Sequence, residues 1–484
     1  MKHFWRFILG LAIACVARDA PAQAPASLKP FVREDAPVLV LEHVRVIDGT
    51  GAAANEDQRV VIDHGKIASV GPAMTGAALP SGAKALDLTG KTVFPGIVGM
   101  HEHLFYPQED TRPGLLRLYG EAGDSAPRLY LAGGVTSART AGSVEPYTDI
   151  SLQQQINAGQ IPGPRLFITG PYLEGEPALG VQLHTLTGPE DAARLVNHWV
   201  AEGATSFKAY MHITPQELKA AIDAAHAHGL KVTGHLCSVG FKEAAALGID
   251  NLEHGLAVDT EFYQEKKEGV CPEVVPARMA ITKLDVEGPE IQSTIKDLIA
   301  RHVAITSTLA IFETLVPNRP PMGEQMRVRE SLSTQAWAEY TTRRAQIAEQ
   351  AEQSYWPGLL RQEMRFEHDF AEQGGLLMAG CDPTGYGGVL PGFADQRNLE
   401  LLVEAGFTPV DAIHIATQNG ATWLGEDAHF GTIAAGKYAD LVVVAGNPAV
   451  KIEDVEKVEM VFKDGVGYDP RKLIESVRGL VGIR

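Results

Sequence analysis

Cysteine is scarce, with 4 among 484 residues, so a disulfide framework is not what organises this chain. There is no block of basic residues, and the formal net charge is -18. That excludes nucleic acid or an anionic membrane surface as the main partner. Long apolar runs are missing too. The run Ile8 to Ala17 is too short to span a bilayer. No internal repeat or low-complexity tract is present. What remains is the composition of a soluble globular enzyme, 45% hydrophobic and 21% charged. A chain of this length predicts a large domain plus a smaller one.

The N-terminus reads as a processing segment. Lys2 and Arg6 precede the apolar run, and Ala22-Gln23-Ala24 is a small-x-small cleavage site. Residues 1–24 therefore read as a secretory signal peptide, so the mature protein is expected to be exported, periplasmic or secreted. A lipoprotein signal using Cys15 is the rival, disfavoured by Ala12 at the position that decides it. Cys237, Cys271 and Cys381 then remain. Cys237 and Cys381 lie in apolar strand-like runs, which predicts small buried thiols rather than a bridge.

After a linker over 25–36, short strands are expected at 38–46, 60–63, 66–70 and 85–88. They cannot bury a face alone. Their expected partners, 441–444 and 458–462, come from the far end of the chain. Residues 37–92 and 432–484 should then build one small β-sandwich, with 93–431 inserted between them. In the insert, candidate strands at 93–99, 137–139, 165–169, 206–209, 231–234, 251–253, 304–307 and 376–379 alternate with helices. Thr214-Pro215-Gln216-Glu217 is a capping box with proline at the first helical position. Eight such units predict a (β/α)₈ TIM barrel, with a doubly wound open sheet as the alternative. Residues 310–372 are a long, charged, helical interruption. Arg327, Arg329, Arg343, Arg344, Arg361 and Arg365 there suit either a lid or solvated helix faces.

Six side chains stand out. His101 and His103 follow an apolar strand, and residues two apart on a strand point the same way. Lys208 lies inside the apolar stretch Ser206-Phe207-Lys208-Ala209-Tyr210, where a lysine is expensive unless paired or chemically altered. Carbamylated, its two oxygens could bridge two cations. His235, His254 and Asp382 each end a candidate strand. Lys208, His235 and His254 are spaced by about one βα unit, which puts them on one rim of a barrel, where barrel enzymes place their sites. Asp382 ends the last strand, beside the first in a closed barrel. Imidazole and carboxylate ligands suit zinc, and also manganese or iron. Tyr210, two residues after Lys208, is a candidate for holding a substrate carboxylate or carbonyl, or else a core tyrosine. His184 is a further pocket candidate.

The stretch Phe94-Pro95-Gly96-Ile97-Val98-Gly99-Met100-His101-Glu102-His103 resembles the first barrel strand of the amidohydrolase superfamily. The resemblance is to its imidazolonepropionase-like and prolidase-like branch. Residues 65–71 resemble its N-terminal hairpin, and residues 431–443 its return into the β domain. The resemblance implies that His101, His103 and Asp382 hold one divalent metal ion, expected to be Zn2+. It implies that His235 and His254 hold a second and that carbamylated Lys208 bridges them. The nucleophile would be a hydroxide shared by the metals, with Asp382 as proton shuttle. Arg139-Thr140 departs from the Arg-Asp of many relatives. Lys208 separates the chain from imidazolonepropionase itself, which resembles a one-metal enzyme. The expected substrates are small amides: dipeptides such as Xaa-Pro, or N-acyl amino acids including ochratoxin-like amides, acted on by a homo-oligomer. A lactone or cyclic-amide hydrolase would use the same ligands. A non-catalytic assembly protein would have lost some of them.

Overall fold

The computed structural model describes residues 24–74, 78–108, 118–178, 180, 182–384 and 387–482. All of the expected signal peptide except Ala24 lies outside these residues, and so does Cys15. No described helix is long and apolar enough to cross a membrane.

Both ends of the chain meet in one nine-stranded sheet, as their unpartnered apolar faces require. Val38–Val46 is the pivot: it pairs antiparallel with Asn55–Asp63, and parallel with Lys84–Asp87 and Lys91–Pro95. Lys91–Pro95 in turn pairs with Leu441–Ala445 from the far end of the chain, which pairs with Val458–Lys463. Leu39, Leu41, Val60, Ile67, Leu441, Val443 and Phe462 fill the cluster beneath. The strands expected in the small β-sandwich lie on one hydrogen-bonded path, with Lys84–Asp87 branching off it at Val38–Val46.

The run expected as one strand over 93–99 is two. Lys91–Pro95 belongs to the mixed sheet, and Ile97–Glu102 is the first strand of the parallel system. The break falls at Gly96, where a Cβ would come within 2.0 Å of the Thr136 hydroxyl. Only glycine lets the chain pass there.

The parallel strands follow the predicted order in a TIM-barrel-type arrangement. They form two sheets, however, not one closed ladder. One sheet holds Ile97–Glu102, Val135–Thr140 and Arg165–Phe167; the other runs from Thr169–Leu173 to Leu377–Ala379. The third strand is interrupted at Ile168, which divides the sheets on one side. On the other side the last strand meets the first only at its tip, where Asp382 N donates to His101 O at 2.9 Å. Gly380 permits this approach, since a Cβ there would lie 2.3 Å from His101 N. Arg165, at the start of its strand, bonds Asp440 (2.8 Å) and Asp464 (2.5 Å), tying the parallel system to the mixed sheet.

Between the strands the helices form as their sequences dictate. Thr214 and Glu217 complete the capping box, and Pro215–Ala227 buries Leu218, Ala221, Ile222 and Ala225. The 310–372 stretch is less solvated than its charge suggested. Trp356–Glu372 buries Leu359, Met364, Phe366 and Phe370 and is a packed helix of the core. Arg327 pairs with Glu324 and Glu456, and buried Arg344 donates to the carbonyls of Thr314 and Val316. These two arginines hold architecture together.

The cysteine expectation is also corrected. Cys237 and Cys271 form a disulfide, and among the described residues Cys381 alone is free and buried. The two partners come from the loops after successive strands. Pairing of consecutive strand tops brings these loops together, which sequence separation did not reveal.

Candidate metal centre

The strand tops converge in register. Lys208 pairs with Thr233, and His235 N donates to Ala209 O. His254 N donates to Thr306 O, and Asp382 N to His101 O. Each candidate ligand therefore sits where its strand ends. Neighbouring residues on a strand face opposite ways, yet Glu253 and His254 both serve this site. A left-handed backbone at His254 (φ 68°) makes the turn, and Asp382 (φ 48°) does the same. Such conformations cost a residue with a side chain, and here they are held by the surrounding strands.

All six predicted side chains meet. Asp382 Oδ1 lies 3.3 Å from His103 Nε2 and 3.7 Å from His101 Nε2, and its Oδ2 lies 3.8 Å from His254 Nε2. Lys208 Nζ is 3.1 Å from His101 Nε2. The His235 ring centroid lies 4.4 Å from that of His254. Ligand atoms of His101, His254 and Asp382 fall within 4.8 Å of one another. His101, His103, Lys208, His254 and Asp382 are buried, and His235 is half-buried.

The imidazoles are held by their other nitrogen. His101 Nδ1 bonds Glu253 Oε2 at 2.8 Å, His254 Nδ1 bonds Thr308 Oγ1 at 2.7 Å, and His103 Nδ1 faces Gly142 O at 3.3 Å. With Nδ1 so engaged, each Nε2 aims inward with its lone pair, as metal-ligating histidines do. His254 Nε2 is buried and has no hydrogen-bond partner. An orphaned buried nitrogen is costly, and a cation among these ligands would satisfy it. The donor set therefore fits divalent metal.

Electrostatics agree. Burial, then the nearby Lys208 charge, lowers His101 to about 4, and burial foremost pushes His235 and His254 well below the usual imidazole value. All three are thus neutral ligands at neutral pH. Burial lowers Lys208 to about 8. Burial would raise Asp382; charge on His101, His103 and His254 would hold it well below the carboxylate range, a part that bound cations would take over once the imidazoles are neutral.

Tyr210 lies beside the cluster, its ring 5.2 Å from His235 and 4.7 Å from Tyr172. His184 does not join it: it is exposed and bonds Asp191 at 2.9 Å. Four supports were not singled out from sequence. Glu253 accepts from His101 and from Arg139 Nη2 (2.8 Å), with both Glu253 and Arg139 fully buried. Thr308 seats His254. Tyr172 stands under Lys208 Nζ at 5.9 Å, and Phe312 packs on His254 at 5.8 Å. Glu253 carried a signal, because a carboxylate inside a short apolar strand is as expensive as Lys208. Thr140 fills the place of the relatives' acidic residue by accepting from Thr169 N at 2.8 Å, a link between strands.

Two further acidic groupings bond mainly to protein partners, although Asp395 Oδ1 and Glu400 Oε1 make no hydrogen bond among the described residues. Glu102, Cys381 and Asp395 are buried behind the histidines and bond one another, Cys381 Sγ donating to Glu102 at 3.0 Å. Glu324, Glu400 and Glu456 are laced with Arg327 and Arg397.

A parallel barrel-type sheet system with histidines, a lysine and an aspartate on its rim defines a metal-dependent hydrolase scaffold. The chain belongs to the amidohydrolase family, whose model matches residues 92–467. That places it among hydrolases acting on C-N bonds. Over 111 residues it is 32% identical to the dihydroorotase of Pelobacter propionicus (strain DSM 2379 / NBRC 103807 / OttBd1), a match covering 23% of this chain and 23% of that relative. The structure is similar to that of a proposed prolidase from Bifidobacterium longum, with TM-score 0.66 and 25% identity, covering 90% of this chain and 95% of that one. It is also similar to a Xaa-Pro dipeptidase with bound methionine in the active site, with TM-score 0.65 and 22% identity, covering 89% of this chain and 100% of that one.

Proposed function

We propose that the protein is an exported, binuclear metal-dependent amidohydrolase that cleaves the amide or peptide bond of dipeptides or N-acyl amino acids. One observation carries the reading. Lys208, buried and without an acidic partner within ion-pair distance among the described residues, stands 3.1 Å from His101 in the middle of the histidine cluster. A lone buried ammonium has no structural reason to be there. As an N-carboxylate it becomes a two-oxygen ligand with a place on either side.

His101, His103 and Asp382 would hold one cation, His235 and His254 the other, and carbamylated Lys208 both, with Zn2+ the ion these donors suit best. Bound there, the ions would acidify water and polarise the scissile carbonyl. Asp382 is ionised, so it can accept a proton from the attacking water at its carboxylate and return it to the departing nitrogen. Glu253, Thr308 and Gly142 keep the three imidazoles turned inward. The similarity to a proposed prolidase and a Xaa-Pro dipeptidase supports a dipeptide with a proline or other C-terminal residue. Aromatic N-acyl amino acids, including ochratoxin-like amides, share the same bond and the same free carboxylate. The Cys237–Cys271 disulfide supports export, since such bonds persist in oxidising compartments.

The test is metal content and turnover of mature wild type and Lys208→Ala, on a dipeptide and N-acyl amino acid library. Wild type should bind two equivalents and hydrolyse members of the library. Lys208→Ala should lose metal and most activity. Wild-type activity and metal content in the variant would remove the bridging role. Preferred turnover of lactones by wild type would change the bond assigned.

A further inference from the structure

Among the described residues the metal cluster is closed on most sides. His101, His103, Lys208 and His254 have almost no exposed surface, whereas His235, Tyr210 and Met211 are half-buried. Among the described residues the cluster is most open at His235. On that side is a narrow cleft, with about 20 Å³ of free space for a water-sized group, lined by Met211, His235, Leu236, Ala257, Val274 and Arg278 among others. All of these but His235 and Arg278 are apolar.

Arg319, Arg327 and Arg397 each pair with glutamates. Arg278 makes no ion pair among the described residues. Its guanidinium carbon lies over the Trp356 ring, 4.9 Å from the centroid, a cation–π contact that uses none of its N–H donors. The helix that carries it, Val274–Ile281, follows Cys271, and the Cys237–Cys271 disulfide fastens this segment two residues beyond His235. The cation is thus held at a set distance from the cluster. A net charge of -18 repels anions at long range, so an anionic substrate needs a local fixed cation.

We propose that Arg278 recognises the free carboxylate of the substrate and so restricts the enzyme to amides with an acidic end. This rests on the amide-hydrolase reading above. The guanidinium edge matches a carboxylate with two parallel hydrogen bonds. The Trp356 face and the apolar cleft floor then exclude water from the pair.

The experiment compares wild type, Arg278→Gln and Arg278→Lys on matched substrates: an N-acyl amino acid and its C-terminal carboxamide. In Arg278→Gln, KM for the acid should rise on the order of 10- to 100-fold, the usual worth of a charge-assisted hydrogen bond. The carboxamide should change less than about 2-fold, and Arg278→Lys should recover part of the loss. Equal losses on acid and carboxamide, or no loss on the acid, would overturn the assignment. A second readout is independent of turnover: calorimetric binding of the N-acyl amino acid and of its carboxamide. Preference for the acid in wild type, lost in Arg278→Gln, supports the site even if neither compound is hydrolysed, an outcome that would refute only the amide-hydrolase reading. Absence of any preference in wild type overturns the proposal.

Discussion

Glu253→Gln isolates the buried link between fold and metal centre. The carboxylate holds His101 Nδ1 at 2.8 Å and Arg139 Nη2 at 2.8 Å, and Glu253 and Arg139 are both fully buried. Burial would raise Glu253, but Arg139, His101 and Lys208 hold it well below the usual range. It is therefore charged in the folded protein at every pH near neutrality. Its stabilising effect is present above the carboxylate range and is lost only as pH falls through its depressed value. Glutamine keeps the size but removes the charge and one acceptor. Arg139 then becomes a buried cation without a counter-charge, which costs about 3–5 kcal/mol. His101 loses its orienting acceptor, which should weaken metal affinity about 10- to 100-fold, or about 1.4–2.8 kcal/mol. Denaturant unfolding of metal-free protein reads the first effect, and competition against a chelator of known affinity reads the second. The double variant Arg139→Met/Glu253→Gln separates them. It should regain most of the stability, because no buried charge is stranded, while metal binding stays weak. Wild-type stability and affinity in Glu253→Gln would refute the reasoning. Full metal affinity in the double variant would show that Glu253 acts by charge balance, not by turning His101.

Asp382→Asn should lower kcat far more than it raises KM, because the proton carrier is lost while the cleft is unchanged; a pure KM effect would contradict the shuttle role. Asp149, buried beside Ser143, has its carboxyl pushed up to about 7, chiefly by burial, from 3.8. The folded state thus keeps a proton that the unfolded chain releases, and stability should fall as pH rises between those values. Asp149→Asn should flatten that fall, measured by unfolding at pH 5 and pH 8; an unchanged slope would reject the assignment. Cys271→Ser opens a loop of sequence separation 34, which should cost about 3–4 kcal/mol in denaturant unfolding; an unchanged midpoint would mean the bridge is not formed.

The candidate ligands were legible as a cluster because several of them violate a local rule. A lysine in an apolar strand and histidines at strand ends are costly choices, and their spacing follows the βα repeat. The meeting of the two chain ends was legible for a similar reason, since the apolar faces of 38–46 and 441–444 each lack a partner nearby. The supports were harder to read. Thr308 and Gly142 are ordinary residue types, and their roles come from which strand tops lie side by side. The disulfide was missed for the same reason. The split at Gly96 was hidden because Thr92 to Met100 is continuous apolar strand sequence apart from Pro95, and only the position of Thr136 shows why the chain must turn there. The helix Trp356–Glu372 misled by its charge, because its buried face includes Gln362, Glu363 and Glu367.

The left-handed backbone at His254 and Asp382 has a consequence for engineering. Such a conformation costs a residue with a side chain about 1–2 kcal/mol, and glycine adopts it freely. The unliganded protein therefore carries a standing penalty at two positions whose side chains belong to the proposed metal site. Libraries screened only for heat resistance, in the absence of metal, should accumulate Gly or Asn at 254 and Asn or Gly at 382, and inactive survivors with them. Stabilising this scaffold without disarming it requires that both positions be held fixed or that selection be run with metal present.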